Sequence, residues 1–346
     1  MSIKFLSTTS AFLLSTSMLV ADVPKVTVDI APVHSLVSKV MDGVGKPDLI
    51  IPAGASPHEY QLKPSNAKSL QDADIVFWIG EDLTPWLEKG LSSLAQDASI
   101  TSLLEVDGVE LLSFREGALF EAHDHDDHDD HDDHDDHDDH DDHGKKKHDD
   151  HDDHDDHDDH GKKEHDDHDD HEGHAHGEHD PHAWLSPQIA KIWLNNIAAK
   201  LSEIDPDNAA SYFSNAKSAR DNIDTLITEV NSILDPIRDK KFVVFHDAYQ
   251  YFEKSFNISA SGAISLGDAS DPSPARLSEI RKRVVDEAVE CVLAEPQYDP
   301  GLVKSVLEGT NAKTTVIDPL GVSLETGPNL YENLIRNLAT NLAKCF

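Results

Sequence analysis

Asp74-Ile75-Val76-Phe77-Trp78-Ile79-Gly80 is the stretch from which the fold can be read. Its apolar side chains run without a polar face, so a strand here is of the buried type. Strands like this occur in parallel sheets covered by helices on both faces. The flanking sequence alternates accordingly. Upstream, 25–30 reads as a strand, 33–40 as a helix, and 48–51 as a short buried strand ended by Pro52. A loop over 53–60 carries His58 and Glu59, and Pro64 starts a helix to about residue 71. Downstream, Thr84-Pro85 opens a helix with proline in its first turn, where a missing N–H costs nothing. Strand-like runs recur at 100–104 and 109–114.

The second half repeats this grammar. Ser186-Pro187 caps a helix through about residue 203. Asp205-Pro206 begins another, to about residue 234, with Tyr212, Ala216, Ile223, Leu226 and Val230 at helical spacing. At ~28 residues it would be ~40 Å long, a plausible rigid strut. Strands at 241–245, 258–264, 291–294 and 313–317 then alternate with helices at 248–256, 275–289, 301–308 and 330–344. The expected fold class is α/β: two lobes with parallel-type sheets joined by a long backbone helix. The divisions are an N-terminal lobe over 22–204, the linking helix over 205–238, and a C-terminal lobe over 239–346.

The N-terminus reads as a signal peptide over 1–21. Lys4 precedes an apolar, small-residue run, and Leu19-Val20-Ala21 suits a cut before Asp22. No other stretch approaches the ~20 apolar residues of a membrane span, so an exported chain, soluble outside the cytoplasm, is expected, with a retained N-terminal anchor as the alternative. Cys291 and Cys345 are its two cysteines. In an exported protein such a pair suggests one disulfide, stabilising by about 4 kcal/mol in the loop-entropy account, with two free buried thiols as the alternative. A formal charge of −38 speaks against nucleic acid, whose phosphates demand clustered Lys and Arg.

Much of that charge comes from an insertion at 121–180, which holds 19 of the 23 histidines and 30 of the 67 acidic residues. His125, His128, His131, His134, His137 and His140 recur at every third position, as do His151, His154 and His157, then His168 and His171. With almost no apolar side chains, the segment is expected to be disordered without a ligand. Imidazole beside carboxylate suits borderline divalent metals, and the bland alternative is a solvated acidic spacer. In an extended chain, successive histidines stand about 9 Å apart, too far to share one ion. Many weak, exchangeable sites are expected, not one tight one.

The four histidines outside the insertion decide more. His246 stands at the carboxyl end of the apolar run Phe242-Val243-Val244-Phe245, where open α/β sheets gather their ligands. His58 lies in a loop on the corresponding side, and His182 on the tether between insertion and helix. His34 sits inside an apolar helical pattern and reads as structural. Three neutral imidazoles plus a carboxylate or water make a tetrahedral zinc set, whereas a harder metal would favour more oxygen ligands.

Ser56-Pro57-His58-Glu59-Tyr60, Asp180-Pro181-His182-Ala183-Trp184-Leu185-Ser186-Pro187 and Phe245-His246-Asp247-Ala248-Tyr249 resemble the three ligand motifs of a known family. These are the zinc-uptake periplasmic binding proteins of bacterial ABC importers, the ZnuA type. Ala294-Glu295-Pro296-Gln297, Ile317-Asp318-Pro319-Leu320-Gly321, the cysteine pair and the position of the His-rich insertion are similar too. The resemblance implies one Zn(II) held in the cleft between the lobes by His58, His182 and His246. It offers Glu59 as a fourth ligand, ranked with water ahead of Asp318. It also implies capture of zinc for delivery to a membrane ABC permease, by a monomer. Nothing points to an enzyme: there is no H-E-x-x-H pairing, nucleophile elbow or phosphate loop. An extracytoplasmic zinc buffer or chaperone, and a metal-dependent adhesin, remain as alternatives.

Overall fold

The computed structural model describes residues 23–115, 179–265 and 272–346. The predicted signal peptide and the insertion histidines up to His176 lie outside these residues. Two parallel sheets form the frame. The first contains β1 (Val26–Val28), β2 (Asp48–Leu49), β3 (Ile75–Trp78) and β4 (Ser99–Ser102) in the order β2-β1-β3-β4. The second contains β5 (Phe242–His246), β6 (Ala263–Ser265), β7 (Cys291–Ala294) and β8 (Lys313–Val316) in the order β6-β5-β7-β8. The strand order reverses between β1 and β3, and again between β5 and β7. Each reversal opens a crevice at the strands' carboxyl ends.

The side-chain period of two explains why the central strands of the second sheet, β5 and β7, are apolar on both faces. Phe242, Val244, Cys291 and Leu293 enter the large core shared with the first lobe. Val243, Phe245 and Val292 enter a separate cluster on the opposite face. There they meet Ile280 and Val284 of α7 (Pro274–Asp286) and Val303 and Val306 of α8 (Pro300–Leu307).

The remaining helices are α1 (Ala31–Val40), α2 (Pro64–Asp72), α3 (Pro85–Leu94), α4 (Pro187–Ile204), α5 (Ala209–Leu234), α6 (Gln250–Phe256) and α9 (Leu330–Lys344). Local chemistry sets their starts. Ser186 Oγ accepts from Ile189 N and Pro187 fills the first turn of α4. The long α5 spans 26 residues and begins after a 3-10 turn at Pro206–Asn208, three residues later than the sequence suggests. Its buried stripe, Tyr212, Ala216, Ala219, Ile223, Leu226, Val230 and Leu234, packs against α4, α9 and α1. Asn215 Nδ2 donates to the carbonyls of Val40 and Asp42, and Arg336 forks onto Glu229 at 2.8 and 2.9 Å. The C-terminal helix α9 is thus braced to the long helix α5.

Cys291 and Cys345 are disulfide-bonded, which ties the end of α9 to β7. Among the described residues, no helix is long and apolar enough to cross a membrane.

One expected strand is corrected. Residues 109–114 do not join a sheet; Ser113 makes only an isolated antiparallel bridge to His179. Leu112 instead donates its N–H to the Tyr251 hydroxyl and accepts from Asp180 N at 2.8 Å. Its backbone groups are satisfied by a side chain and by the approach to His182, so no sheet edge is required. The strand expected over 258–264 is likewise shorter, because Asn257 turns left-handed (φ 51°) and Ile258 N returns to Glu253 O.

Candidate metal centre

Two loops and the carboxyl end of β5 bring three imidazoles to one cavity. His58 follows β2 on a loop pinned at both ends. Trp86 Nε1 donates to Pro57 O at 2.8 Å, and Asn66 joins Tyr60, Lys63 N and Ile50 O. His182 ends the approach to α4 and is buried, with its ring centroid 5.1 Å from that of Trp184. His246 is the last residue of β5, at the reversal point of the second sheet, and packs against Tyr298. Ring centroids are 5.6 Å apart for His58 and His182, and 5.4 Å for His182 and His246. Two imidazoles bound to one tetrahedral zinc through ~2.0–2.1 Å bonds have centroids roughly 5 Å apart. The observed spacings are close to that value. Among the described residues, no group of three or more His, Cys, Asp or Glu side chains is already gathered tightly enough to hold an ion.

The two buried rings are oriented by carboxylates. Asp180 Oδ1 lies 2.8 Å from His182 Nδ1 and also accepts the His182 backbone N–H at 2.9 Å. Glu295 Oε1 lies 2.7 Å from His246 Nδ1. A carboxylate can only accept, so each neutral ring carries its proton on Nδ1 and keeps its lone pair on Nε2, as a metal ligand requires. Asp180 and Glu295, the carboxylates behind the two rings, are not among the residues singled out from the sequence, although both stand inside the quoted motifs. Their signal was positional: one precedes its histidine by two residues, and the other follows β7, the neighbour of β5. The Tyr249 hydroxyl, fully buried, also faces Glu295; burial first, then the charges of Glu295 and Asp318, push its pKa well above the usual phenol value.

The remaining expected residues separate. Glu59 is exposed and outside the cavity lining. Asp318 accepts the backbone N–H groups of Leu320, Gly321 and Val322, together with Gln297 Nε2. Its carboxylate is committed to shaping the turn that carries Pro319 and Leu320 into the cavity wall. His34 has the structural surroundings expected of it: Nε2 meets Pro47 O at 3.1 Å and Nδ1 meets Ser38 Oγ at 3.4 Å. Burial lowers its pKa.

Fold and site together define a two-lobed α/β protein with a histidine-lined cavity between its sheets. The profile of the family described as "Zinc-uptake complex component A periplasmic" matches residues 26–345. The chain belongs to that family. It is 47% identical over 320 residues to the high-affinity zinc uptake system protein ZnuA of Brucella abortus, covering 92% of this chain and 91% of that one. It is 44% identical over 326 residues to the protein of the same name from Paracoccus denitrificans, covering 94% and 92%. A crystal structure of ZnuA superposes with a TM-score of 0.69 at 19% identity, covering 94% of this chain and 99% of the other. A manganese-bound solute-binding protein of Pseudomonas aeruginosa shares the fold, with a TM-score of 0.68 at 17% identity and coverage of 93% and 97%.

Proposed function

We propose that this protein captures Zn(II) outside the cytoplasm and delivers it to a membrane ABC permease for import. The observation that carries the reading is the trio His58, His182 and His246 around one cavity, in a chain of the zinc-uptake family. Three nitrogen donors favour zinc over manganese, which prefers more oxygen. Asp318 is occupied by its turn and Glu59 stands exposed outside the cavity lining, which leaves a water to complete the coordination.

The division of the chain into an exported leader over 1–21, lobes over 22–204 and 239–346 and a connecting segment over 205–238 is part of the proposal. So is an auxiliary role for the His/Asp tract, as a weak collector that raises the local zinc supply. The protein acts by binding and not by catalysis, as a monomer, with no nucleic-acid partner.

Zinc uptake by cells lacking the gene, at limiting zinc, tests the proposal. Uptake should fall, return with the wild-type gene, and stay low with the His182→Ala gene. Normal uptake without the gene, in cells holding no second zinc importer, would remove the transport reading in favour of a buffer.

A further inference from the structure

Segment 112–115 touches both lobes' contributions to the site. Its backbone pairs with the approach to His182: Leu112 O accepts from Asp180 N at 2.8 Å, and Ser113 bridges His179. Helix α6, which follows His246, clamps that pairing. Tyr251 Oη accepts from Leu112 N at 3.0 Å and donates to Asp180 O at 3.1 Å, while Gln250 Nε2 reaches Ser113 O and Asp180 Oδ2, both at 3.1 Å.

The side chain of Arg115 makes the second connection. Its Nε lies 3.0 Å from both Asp247 oxygens, and its Nη2 also reaches Oδ1. Nη1 and Nη2 fork onto Glu253 at 2.9 and 3.0 Å, and Glu253 Oε2 in turn accepts Ala260 N at 2.9 Å. Asp247 and Glu253 are 7% and 5% exposed. Two buried carboxylates this close need a shared cation, and only a planar fork spans both with directed bonds. Asp247 directly follows His246, in a turn closed by Ala248 N and His246 O at 2.9 Å.

We propose that Arg115 is a positioning residue for zinc capture: it holds the His246 turn through Asp247, while its own backbone segment holds the His182 loop through Asp180. One short segment thereby sets the separation of two ligand positions, one on the approach to α4 and one at the end of β5. A simple surface pin would not need both connections. The assignment rests on the zinc reading of the cavity.

The test uses the full chain as wild type, Arg115→Lys, Asp247→Asn, His246→Ala and, as a remote control, Arg336→Gln. Half an equivalent of zinc is titrated against a chromophoric chelator, so that only the tightest site competes, and the absorption of the Co(II)-loaded proteins is recorded. Arg115→Lys keeps the charge but loses the fork. It and Asp247→Asn should bind zinc about 10-fold more weakly, as loss of outer-shell support does, with an altered Co(II) spectrum. Arg336→Gln breaks the Glu229 pair on α5 and should lower the melting temperature while leaving affinity and spectrum unchanged. Wild-type affinity and spectrum in both Arg115→Lys and Asp247→Asn, with binding lost in His246→Ala, would overturn the Arg115 assignment alone. Wild-type binding in His246→Ala would overturn the zinc reading and this assignment with it. Should Arg115→Lys fail to fold, Asp247→Asn decides by the same two readings.

Discussion

His246 and Glu295 are joined by a 2.7 Å contact between Nδ1 and Oε1 across 49 residues of sequence. The contact exists because β5 and β7 are parallel neighbours whose carboxyl ends face one crevice. It fixes which nitrogen of His246 can meet a metal, and Asp180 does the same for His182 at 2.8 Å.

Replacing Glu295 by Ala should therefore weaken zinc binding about 10–100-fold, the usual cost of removing the partner that orients a ligand histidine. Glu295→Gln keeps an acceptor oxygen and should lose less. Competition titration against a chelator measures both. Equal affinity in wild type and Glu295→Ala would show that the contact has no part in binding.

Asp318 separates a ligand role from a structural one. With both carboxylate oxygens taken by N–H groups, Asp318→Ala should cost about 1–3 kcal/mol of stability through stranded donors. Zinc affinity should fall far less than in a histidine variant. A denaturant midpoint and a chelator competition on the same sample check this; unchanged stability with abolished binding would restore Asp318 as a ligand.

Asp29 gives the fold a pH dependence. It is fully buried at the carboxyl end of β1, accepting Ile30 N and Ile79 N at 2.7 Å, and burial, outweighing those bonds, pushes its pKa to about 7. Between the ordinary carboxyl value of about 3.9 and about 7, the folded chain binds more protons than the unfolded chain. Stability from this group is full below that window and declines as pH rises through it. Asp29→Asn should flatten the dependence, read from urea midpoints at pH 5 and pH 8. An identical slope in both proteins would contradict the assignment.

Reduction of Cys291–Cys345 opens a loop spanning 54 residues. Unfolding free energy should drop by about 4 kcal/mol, visible as a lower melting temperature with and without reductant. A change under 1 kcal/mol would mean that the reduced unfolded chain retains structure.

Much of the fold was legible because apolar runs such as Ile75–Trp78 and Phe242–His246 admit few environments, and prolines and serines mark the helix starts. His246 was legible by itself, ending such a run. His58 and His182 were legible only through the motifs around them, since nothing in a loop's local pattern says where it points. The carboxylates behind the rings were not assigned, because their pairing depends on strand order. Residues 109–114 misled for a related reason: apolar content resembles a strand, but whether a sheet edge is at hand is decided by tertiary structure.

One tight zinc held by the three isolated histidines should be visible in metal analysis of purified wild type beside His246→Ala. Both are dialysed against a chelator strong enough to strip weak sites. Wild type should retain about one zinc per chain and His246→Ala essentially none. Equal tight zinc in the two proteins would place the metal elsewhere and contradict the three-histidine site.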